Sequence, residues 1–214
     1  MSGYQILDLA AIEPVPYHAR EGEKLLPIQR LTGFRAAGVN GWTGEPGEKL
    51  VPEHDEDSGH EELYVVVRGR ATFTVDGNAF DAPAGTLVHL LAGELRAAVA
   101  EEPGTIVIAV GATPGEAYVV QGWTSFAVAD ALRRGGRLGE ARVVMQEMLE
   151  LAPGQWGAPY NVACFEALEG EIDAAFRYLE QAVEIDAQAV RDFAPNDSDL
   201  DALHDDPRWR SVIG

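Results

Sequence analysis

The chain of 214 residues is long enough for one large domain or two small ones, and its apolar fraction of 46% is ordinary for a globular protein. Its formal net charge of −19 disfavours nucleic acid and anionic membrane surfaces as partners, because both are negatively charged themselves. No apolar run approaches the roughly 18 residues that a membrane-spanning helix needs, so we expect no membrane segment.

The first half of the chain predicts a series of short strands. Five apolar runs of strand length occupy residues 63–67, 71–75, 86–91, 95–100 and 105–110, and KLLPIQRL (24–31) and FRAAGVNGWT (34–43) are weaker candidates. Turn residues separate the runs, and Asp76-Gly77 is typical of a hairpin turn because both residues tolerate positive φ. Regular short strands of this kind indicate an antiparallel sandwich, jelly roll or barrel, which we assign to residues 1–120.

Residues 121–214 show a different period. Four segments carry apolar residues three and four positions apart, which predicts amphipathic helices. These segments are TSFAVADALRR, GEARVVMQEMLEL, APYNVACFEAL and EIDAAFRYLEQAVEI. The pattern recurs after 34 residues, as the pairs Gly136 and Gly170, Ala129 and Ala163, and Ala141 and Ala175 show.

A helix–turn–helix period of 34 residues resembles the tetratricopeptide repeat. The resemblance implies two helical hairpins over roughly residues 123–187, with Ser125 in place of a large aromatic residue and Ala187 in place of a proline. Two repeats are fewer than the three or so that normally stack stably, so we expect these helices to lean on another surface. Their concave face is expected to bind a peptide or protein partner, or to serve only for packing and oligomerisation.

The tail of residues 197–213 is expected to form a capping helix for these hairpins. Its apolar positions are Leu200, Leu203, Trp209 and Val212.

Cys164 is the only cysteine, so no intrachain disulfide is possible, which fits a reducing cytoplasm. It lies in an apolar helical pattern, YNVACFEAL, and we expect a small buried residue rather than a nucleophile. The N-terminal run MSGYQILDLAAIEP has no basic region followed by a long apolar segment, so we expect no signal peptide.

The stretch from Gly47 to Gly69, GEKLVPEHDEDSGHEELYVVVRG, carries the richest chemistry in the chain. It places four side chains with metal-binding groups just ahead of an apolar strand, and these are His54, Glu56, His60 and Glu62. Imidazole and carboxylate groups clustered in this way suit a divalent cation such as iron, manganese, nickel or zinc. The same run is rich in acids, and a solvated loop is the alternative interpretation.

This stretch resembles the first signature of the cupin superfamily, in which a glycine precedes two histidines, a glutamate and a further glycine. Gly47, His54, Glu62 and Gly69 match that pattern, and Glu56 stands at the position of the second histidine.

Residues 85–100 resemble the second cupin signature. Gly85 and Gly93 keep their places, Leu91 replaces a proline and Ala100 replaces an asparagine. Arg96 stands where the resemblance implies the last metal-binding histidine.

Strand alternation places Glu62, Tyr64 and Val66 on one face of the strand that follows the cluster. If Glu62 points inward, as the resemblance implies, Tyr64 lies beside it and Arg96 approaches it from the neighbouring strand. His89 joins this pocket only if its strand turns that face inward, which periodicity does not decide.

Three interpretations of the site stay open. Glu62 and Arg96 form a structural ion pair in place of a metal, since a guanidinium repels a cation and pairs well with a carboxylate. Alternatively, Arg96 anchors a small anionic molecule inside the barrel. In the third interpretation His54, His60 and Glu62, with Glu56, hold a divalent metal.

These patterns together predict an α+β chain of two domains, with a cupin-like β-barrel or jelly roll followed by tetratricopeptide-like helices. Loss of the second-signature histidine favours a non-enzymatic domain that binds or senses a small molecule without a cofactor, coupled to a helical interaction module. The alternatives are a metal-dependent enzyme of the isomerase or dioxygenase kind and a structural scaffold without a ligand. The cupin resemblance also implies a homodimer. His18 and His204 have no recognisable partner and are expected to be exposed.

Overall fold

The computed structural model describes residues 5–17, 23–56 and 59–214. The chain divides into two units, of which the first ends at Val120 and the second begins at Gln121. The prediction for His18 lies outside the described residues.

Ten strands occupy the described part of the first unit. They are β1 (Val15–Pro16), β2 (Lys24–Leu26), β3 (Gly38–Gly44), β4 (Lys49–His54), β5 (Glu61–Arg68), β6 (Arg70–Val75), β7 (Asn78–Pro83), β8 (Leu87–Leu90), β9 (Arg96–Ala100) and β10 (Thr105–Ala112).

These strands form two antiparallel sheets. The large sheet has the strand order β1-β2-β3-β10-β5-β8, and the small sheet has the order β4-β9-β6-β7. The sheets face each other across an apolar interior, where the rings of Tyr64 on β5 and Phe73 on β6 meet edge to face with centroids 5.6 Å apart. The architecture is the antiparallel two-layer arrangement that the strand pattern predicts.

Strand β5 shows how the sequence pattern divides the two faces of the large sheet. Tyr64 and Val66 are 2% and 0% exposed, whereas Leu63 before them and Val67 after them are 37% and 38% exposed. The predicted alternation is confirmed, and it directs Glu62 to the interior with Tyr64.

The turn between β6 and β7 also follows its prediction. Asp76 and Gly77 have φ values of 48° and 79°, and Val75 pairs directly with Asn78 across the turn. Asp76 is the only non-glycine residue with positive φ among those described.

Two parts of the strand prediction need correction. In KLLPIQRL only Lys24–Leu26 is a strand, because Pro27 ends it and Ile28–Thr32 forms the short helix α1. The sequence reading also missed β4, which contains Pro52, and β7, whose burial does not alternate.

The second unit is helical. Its helices are α2 (Trp123–Arg134), α3 (Leu138–Leu151), α4 (Gly157–Leu168), α5 (Ile172–Ile185), α6 (Ala187–Phe193) and α7 (Trp209–Val212).

The first four of these helices repeat with the predicted period. Helices α2 and α4 have 12 residues each and begin 34 positions apart, and α3 and α5 have 14 residues each and also begin 34 positions apart. The turn glycines Gly136 and Gly170 both have φ of 76°. The alanines that recur with this period are fully buried, and they are Ala129, Ala141, Ala163 and Ala175.

The tail differs from the predicted capping helix. Residues Ala194–Asn196 and Ser198–Leu203 form 3-10 turns, and only Trp209–Val212 is α-helical. Asp197 interrupts the helix, because its side chain accepts a hydrogen bond from the backbone of Asp199 and starts a new turn. Leu200 and Leu203 are nevertheless fully buried in the helical core, as a capping segment requires.

Within the described ranges, no helix is both long and apolar enough to cross a membrane.

Candidate functional site

The centre of the candidate site is an ion pair between the two sheets. Nη2 of Arg96, on β9 of the small sheet, lies 3.0 Å from Oε2 of Glu62, on β5 of the large sheet. The Arg96 side chain is 0% exposed and that of Glu62 is 13% exposed. Arg96 therefore reaches Glu62 from the opposite sheet, and not from a neighbouring strand as the sequence reading expected.

The remaining donors of Arg96 are only partly used. Nη1 donates to the backbone carbonyl of Glu94 at 2.8 Å, and Nη2 makes its ion pair without the geometry of a directional hydrogen bond. Nε has no hydrogen-bond partner among the described residues, although it is buried. A buried donor without an acceptor costs about 1–3 kcal/mol. The guanidinium therefore has unused capacity to bind an oxygen acceptor.

Tyr64 holds the same carboxylate from within its own strand. Its hydroxyl donates to Oε2 of Glu62 at 2.6 Å. Burial raises the pKa of Tyr64 well above its ordinary value, and the negative charge of Glu62 raises it further. Tyr64 is thus a permanent donor at neutral pH, and Oε2 of Glu62 is shared between Tyr64 and Arg96.

Two glycines leave room beside Glu62. Gly111 on β10 pairs with Glu62 on one side and with Gly38 of β3 on the other. A methyl group on Gly111 would lie 3.0 Å from Cγ of Glu62, which is closer than side chains normally pack. The row from Gly38 to Glu62 therefore has no side chain between its ends.

His54 and Glu56 lie close to Glu62. His54 ends β4 and pairs in register with Arg96 of β9. Its Nε2 lies 3.7 Å from Oε1 of Glu56, while its Nδ1 lies 2.7 Å from the backbone carbonyl of Pro52. Ligand atoms of His54, Glu56 and Glu62 all fall within 4.8 Å of one another. The structure thus brings together three of the four predicted metal ligands.

His60 belongs to the edge of this group. Its Nδ1 lies 3.9 Å from Oε2 of Glu56, and it falls outside the set of three converging ligand atoms found in the described residues. We call His54, Glu56 and His60 the mouth cluster, because all three side chains are partly exposed above the buried Arg96.

His89 lies on the other face of the large sheet. It pairs with Leu63 across β5 and β8, its side chain is 55% exposed, and its Nε2 contacts the carboxylate of Glu61. Strand alternation causes this placement, since Glu61 and Leu63 flank the inward Glu62. The structure therefore separates His89 from Glu62, Tyr64 and Arg96, with which the sequence reading grouped it.

The donor set fits a metal only in part. One imidazole and two carboxylates converge, which suits a hard or borderline divalent cation. Against this, the buried guanidinium of Arg96 lies in contact with Glu62 and competes with any cation for that carboxylate.

Two further side chains near the mouth cluster, Tyr118 and Gln29, were not predicted from the sequence. Tyr118 packs across Gly38, where a methyl group would lie 3.0 Å from its hydroxyl oxygen, and its ring centroid lies 6.1 Å from that of His60. The Tyr118 hydroxyl lies 3.4 Å from Oε1 of Gln29. Neither residue belongs to a motif, so only the three-dimensional structure reveals them.

A buried polar cluster in the second unit surrounds Cys164. Cys164 is 1% exposed and lies 3.6 Å from Asp197, which also accepts the Tyr160 hydroxyl at 2.8 Å. Burial, followed by the charge of Asp197, raises the pKa of the Cys164 thiol well above its ordinary value. The prediction that Cys164 is buried is confirmed. His204 is different from its prediction, because it is half-buried against the ring of Trp209 with centroids 4.4 Å apart.

No protein-family model and no curated protein matches the chain. Solved structures are similar to its N-terminal half. A cupin protein from Bacteroides fragilis is 19% identical, with 55% of this chain and 92% of that chain covered and a TM-score of 0.40. A cupin-superfamily sugar phosphate isomerase from Silicibacter pomeroyi is 22% identical, with 51% and 77% covered and a TM-score of 0.44.

A predicted oxalate decarboxylase from Thermotoga maritima is 17% identical, with 51% of this chain and 99% of that chain covered and a TM-score of 0.40. At such identities and TM-scores the likeness carries no information on substrate or activity. Those must come from the side chains of this chain.

Proposed function

We propose that the first unit binds a small anionic molecule without catalysing a reaction, and that Arg96 is its anchor. The observation that carries this proposal is a fully buried guanidinium whose Nε has no acceptor among the described residues. A carboxylate matches the fork of a guanidinium with two parallel hydrogen bonds. Glu62 meets the guanidinium through one oxygen, Oε2, which also accepts from the Tyr64 hydroxyl, and this contact leaves Nε of Arg96 without an acceptor among the described residues.

The ligand would lie between the two sheets, beside the Arg96 guanidinium. Glu56 and Glu62 repel an anion at the mouth, so the ligand must gain more from the buried arginine than it loses there. This requirement favours a compact dicarboxylate over a large polyanion.

Calorimetric titration with malonate and with its neutral diamide, malonamide, tests the proposal. The two molecules have similar size, and only malonate has the charge. We expect binding of malonate and none of malonamide. Equal heats from both, or none from either, would contradict an anion site at Arg96 and would favour the structural scaffold.

A metal on His54, Glu56 and Glu62 is the second candidate, and the convergence of their ligand atoms within 4.8 Å favours it. His60 is then an outer neighbour through Glu56 rather than a ligand. A metal bound there supplies a Lewis acid, as an isomerase or dioxygenase of the cupin type needs. In that case Tyr64 and Arg96 orient the Glu62 carboxylate through their contacts with its Oε2 atom.

Titration with Mn²⁺ tests this second candidate. Tight binding that is lost in Glu56→Gln, and retained in the control His89→Gln on the outer face, would establish it. Equal weak binding by all three proteins would exclude it.

We further propose that the helical unit is a tetratricopeptide-like interaction module and that the protein is a homodimer in the reducing cytoplasm. Support comes from the 34-residue recurrence of four helices and from a single, buried cysteine. Sedimentation equilibrium is expected to give twice the chain mass of 23.0 kDa. A monomer at all concentrations would remove the dimer from the proposal.

A further inference from the structure

Tyr118 differs in burial from the residues on either side of it in the segment that follows β10. Residues 114–117 and Val119 are exposed, whereas Tyr118 is half-buried. A turn at residues 113–116 reverses the chain, with Gly115 at φ of 80° and the Glu116 amide donating to the carbonyl of Thr113 at 3.2 Å. The turn directs the chain back over the end of the large sheet, where Tyr118 points inward.

The position of Tyr118 follows from the paired glycines Gly38 and Gly111. Its hydroxyl oxygen lies 3.0 Å from where Cβ of an alanine at position 38 would be, and Cγ of Glu62 lies 3.0 Å from the corresponding point at Gly111. Gly38 and Gly111 are directly paired, and paired strands are about 5 Å apart. The Tyr118 hydroxyl and the Glu62 side chain therefore lie on the same face of the large sheet, over the neighbouring glycines Gly38 and Gly111.

Tyr118 is fixed from two sides. Gln29, which is buried, accepts at 3.4 Å from the Tyr118 hydroxyl, and its amide donates to the carbonyls of Phe34 and Ala37 at 3.2 and 3.5 Å. On the other side the Tyr118 ring contacts the ring of His60 in the mouth cluster. The ring therefore lies between Gln29 of α1 and His60 of the mouth cluster.

We propose that Tyr118 closes the mouth of the Glu62–Arg96 site and is a further wall residue that decides which ligands enter. The ligand-contact part of this inference rests on the proposed function, whereas the closure of the mouth does not. Gly38 is required because an alanine there would push the Tyr118 hydroxyl outward.

Carbethoxylation of histidines by diethyl pyrocarbonate, followed residue by residue with mass spectrometry, tests the closure without any ligand. His60 is 18% exposed and His89 is 55% exposed, so His89 is an internal reference in the same protein. We expect Tyr118→Ala and Gly38→Ala to raise the rate at His60 several-fold relative to His89. Tyr118→Phe keeps the ring and is expected to leave the ratio close to that of the wild type.

An unchanged ratio in Tyr118→Ala would overturn the closure. Malonate titration of the same variants tests the ligand contact, and we expect Tyr118→Ala to change the dissociation constant several-fold. An unchanged constant would overturn the contact. If malonate fails to bind the wild type while the His60 ratio responds as expected, the anion proposal fails and the closure stands.

Discussion

At the scale of single residues, Arg96 controls the energetics of the interior. Its only carboxylate partner among the described residues is Glu62, which is itself 13% exposed. Removing one member of a buried pair leaves the other charge without compensation and costs about 3–5 kcal/mol. We therefore expect Arg96→Met to lower the free energy of unfolding by about 3 kcal/mol, measured by urea denaturation of the full chain.

Two further variants separate the charge effect from lost packing. The double variant Arg96→Met with Glu62→Gln is expected to recover most of the loss, because no unpaired charge remains. Arg70→Met, which breaks exposed pairs with Asp81 and Glu102, is expected to change stability little. Equal losses in the single and double variants would show that packing, and not charge, explains the effect.

The buried Tyr64 is expected to make the stability of the fold decrease at alkaline pH. Its pKa is raised in the folded state by burial and by Glu62. An acid with a raised folded pKa stabilises fully below its unfolded pKa of about 10, and this contribution is lost as the pH rises above that value. We expect the midpoint temperature of thermal unfolding of the wild type to fall steeply above about pH 10. The midpoint temperature of Tyr64→Phe is expected to fall less.

Tyr160 in the helical unit provides the comparison for Tyr64. Burial also raises the pKa of Tyr160. Tyr160→Phe is therefore also expected to reduce the loss of thermal stability above about pH 10. A pH profile that neither substitution changes would show that the two tyrosines do not titrate on unfolding.

At the scale of elements, the 34-residue period has a direct energetic consequence at its turn glycines. Gly170 between α4 and α5 has φ of 76°, and a side chain in that left-handed region costs about 1–2 kcal/mol. We expect Gly170→Ala to destabilise the helical unit by about that amount in urea denaturation. The matched control is Gly139 inside α3, where alanine meets no neighbour and is expected to stabilise by about 0.5–1 kcal/mol.

Equal changes in the free energy of unfolding for Gly170→Ala and Gly139→Ala would contradict this prediction. They would show that the left-handed conformation at Gly170 does not require glycine.

The sequence predicted elements where local rules decide the outcome. The apolar run of β5, the Asp76-Gly77 turn and the paired helices all follow from periodicity and turn chemistry. It missed β4 and β7 because Pro52 and an exposed edge strand disrupt the two-residue alternation.

The candidate site was predictable only in its composition. The structure does bring together five of the predicted residues, which are His54, Glu56, Glu62, Tyr64 and Arg96. The sheet to which Arg96 belongs, however, depends on strand order, which no local pattern encodes. The exclusion of His89 likewise follows from the register of β8 against β5. Tyr118 depends on a contact between segments distant in sequence, so no spacing rule points to it.

At the scale of the whole molecule, the chain combines a two-sheet unit that holds a polar site with a helical unit built from two similar hairpins. The polar site has the partial donor set of a metal centre, with a buried arginine in contact with its central carboxylate. Whether a cation or the arginine neutralises Glu62 separates the two candidate functions.

Metal analysis by inductively coupled plasma mass spectrometry tests this point most directly, on protein purified without a histidine tag and without chelators. We expect far less than one equivalent of iron, manganese, nickel or zinc per chain, with no difference between the wild type and His54→Ala. One equivalent of a single metal in the wild type, lost in His54→Ala and retained in the control His89→Ala, would contradict this expectation.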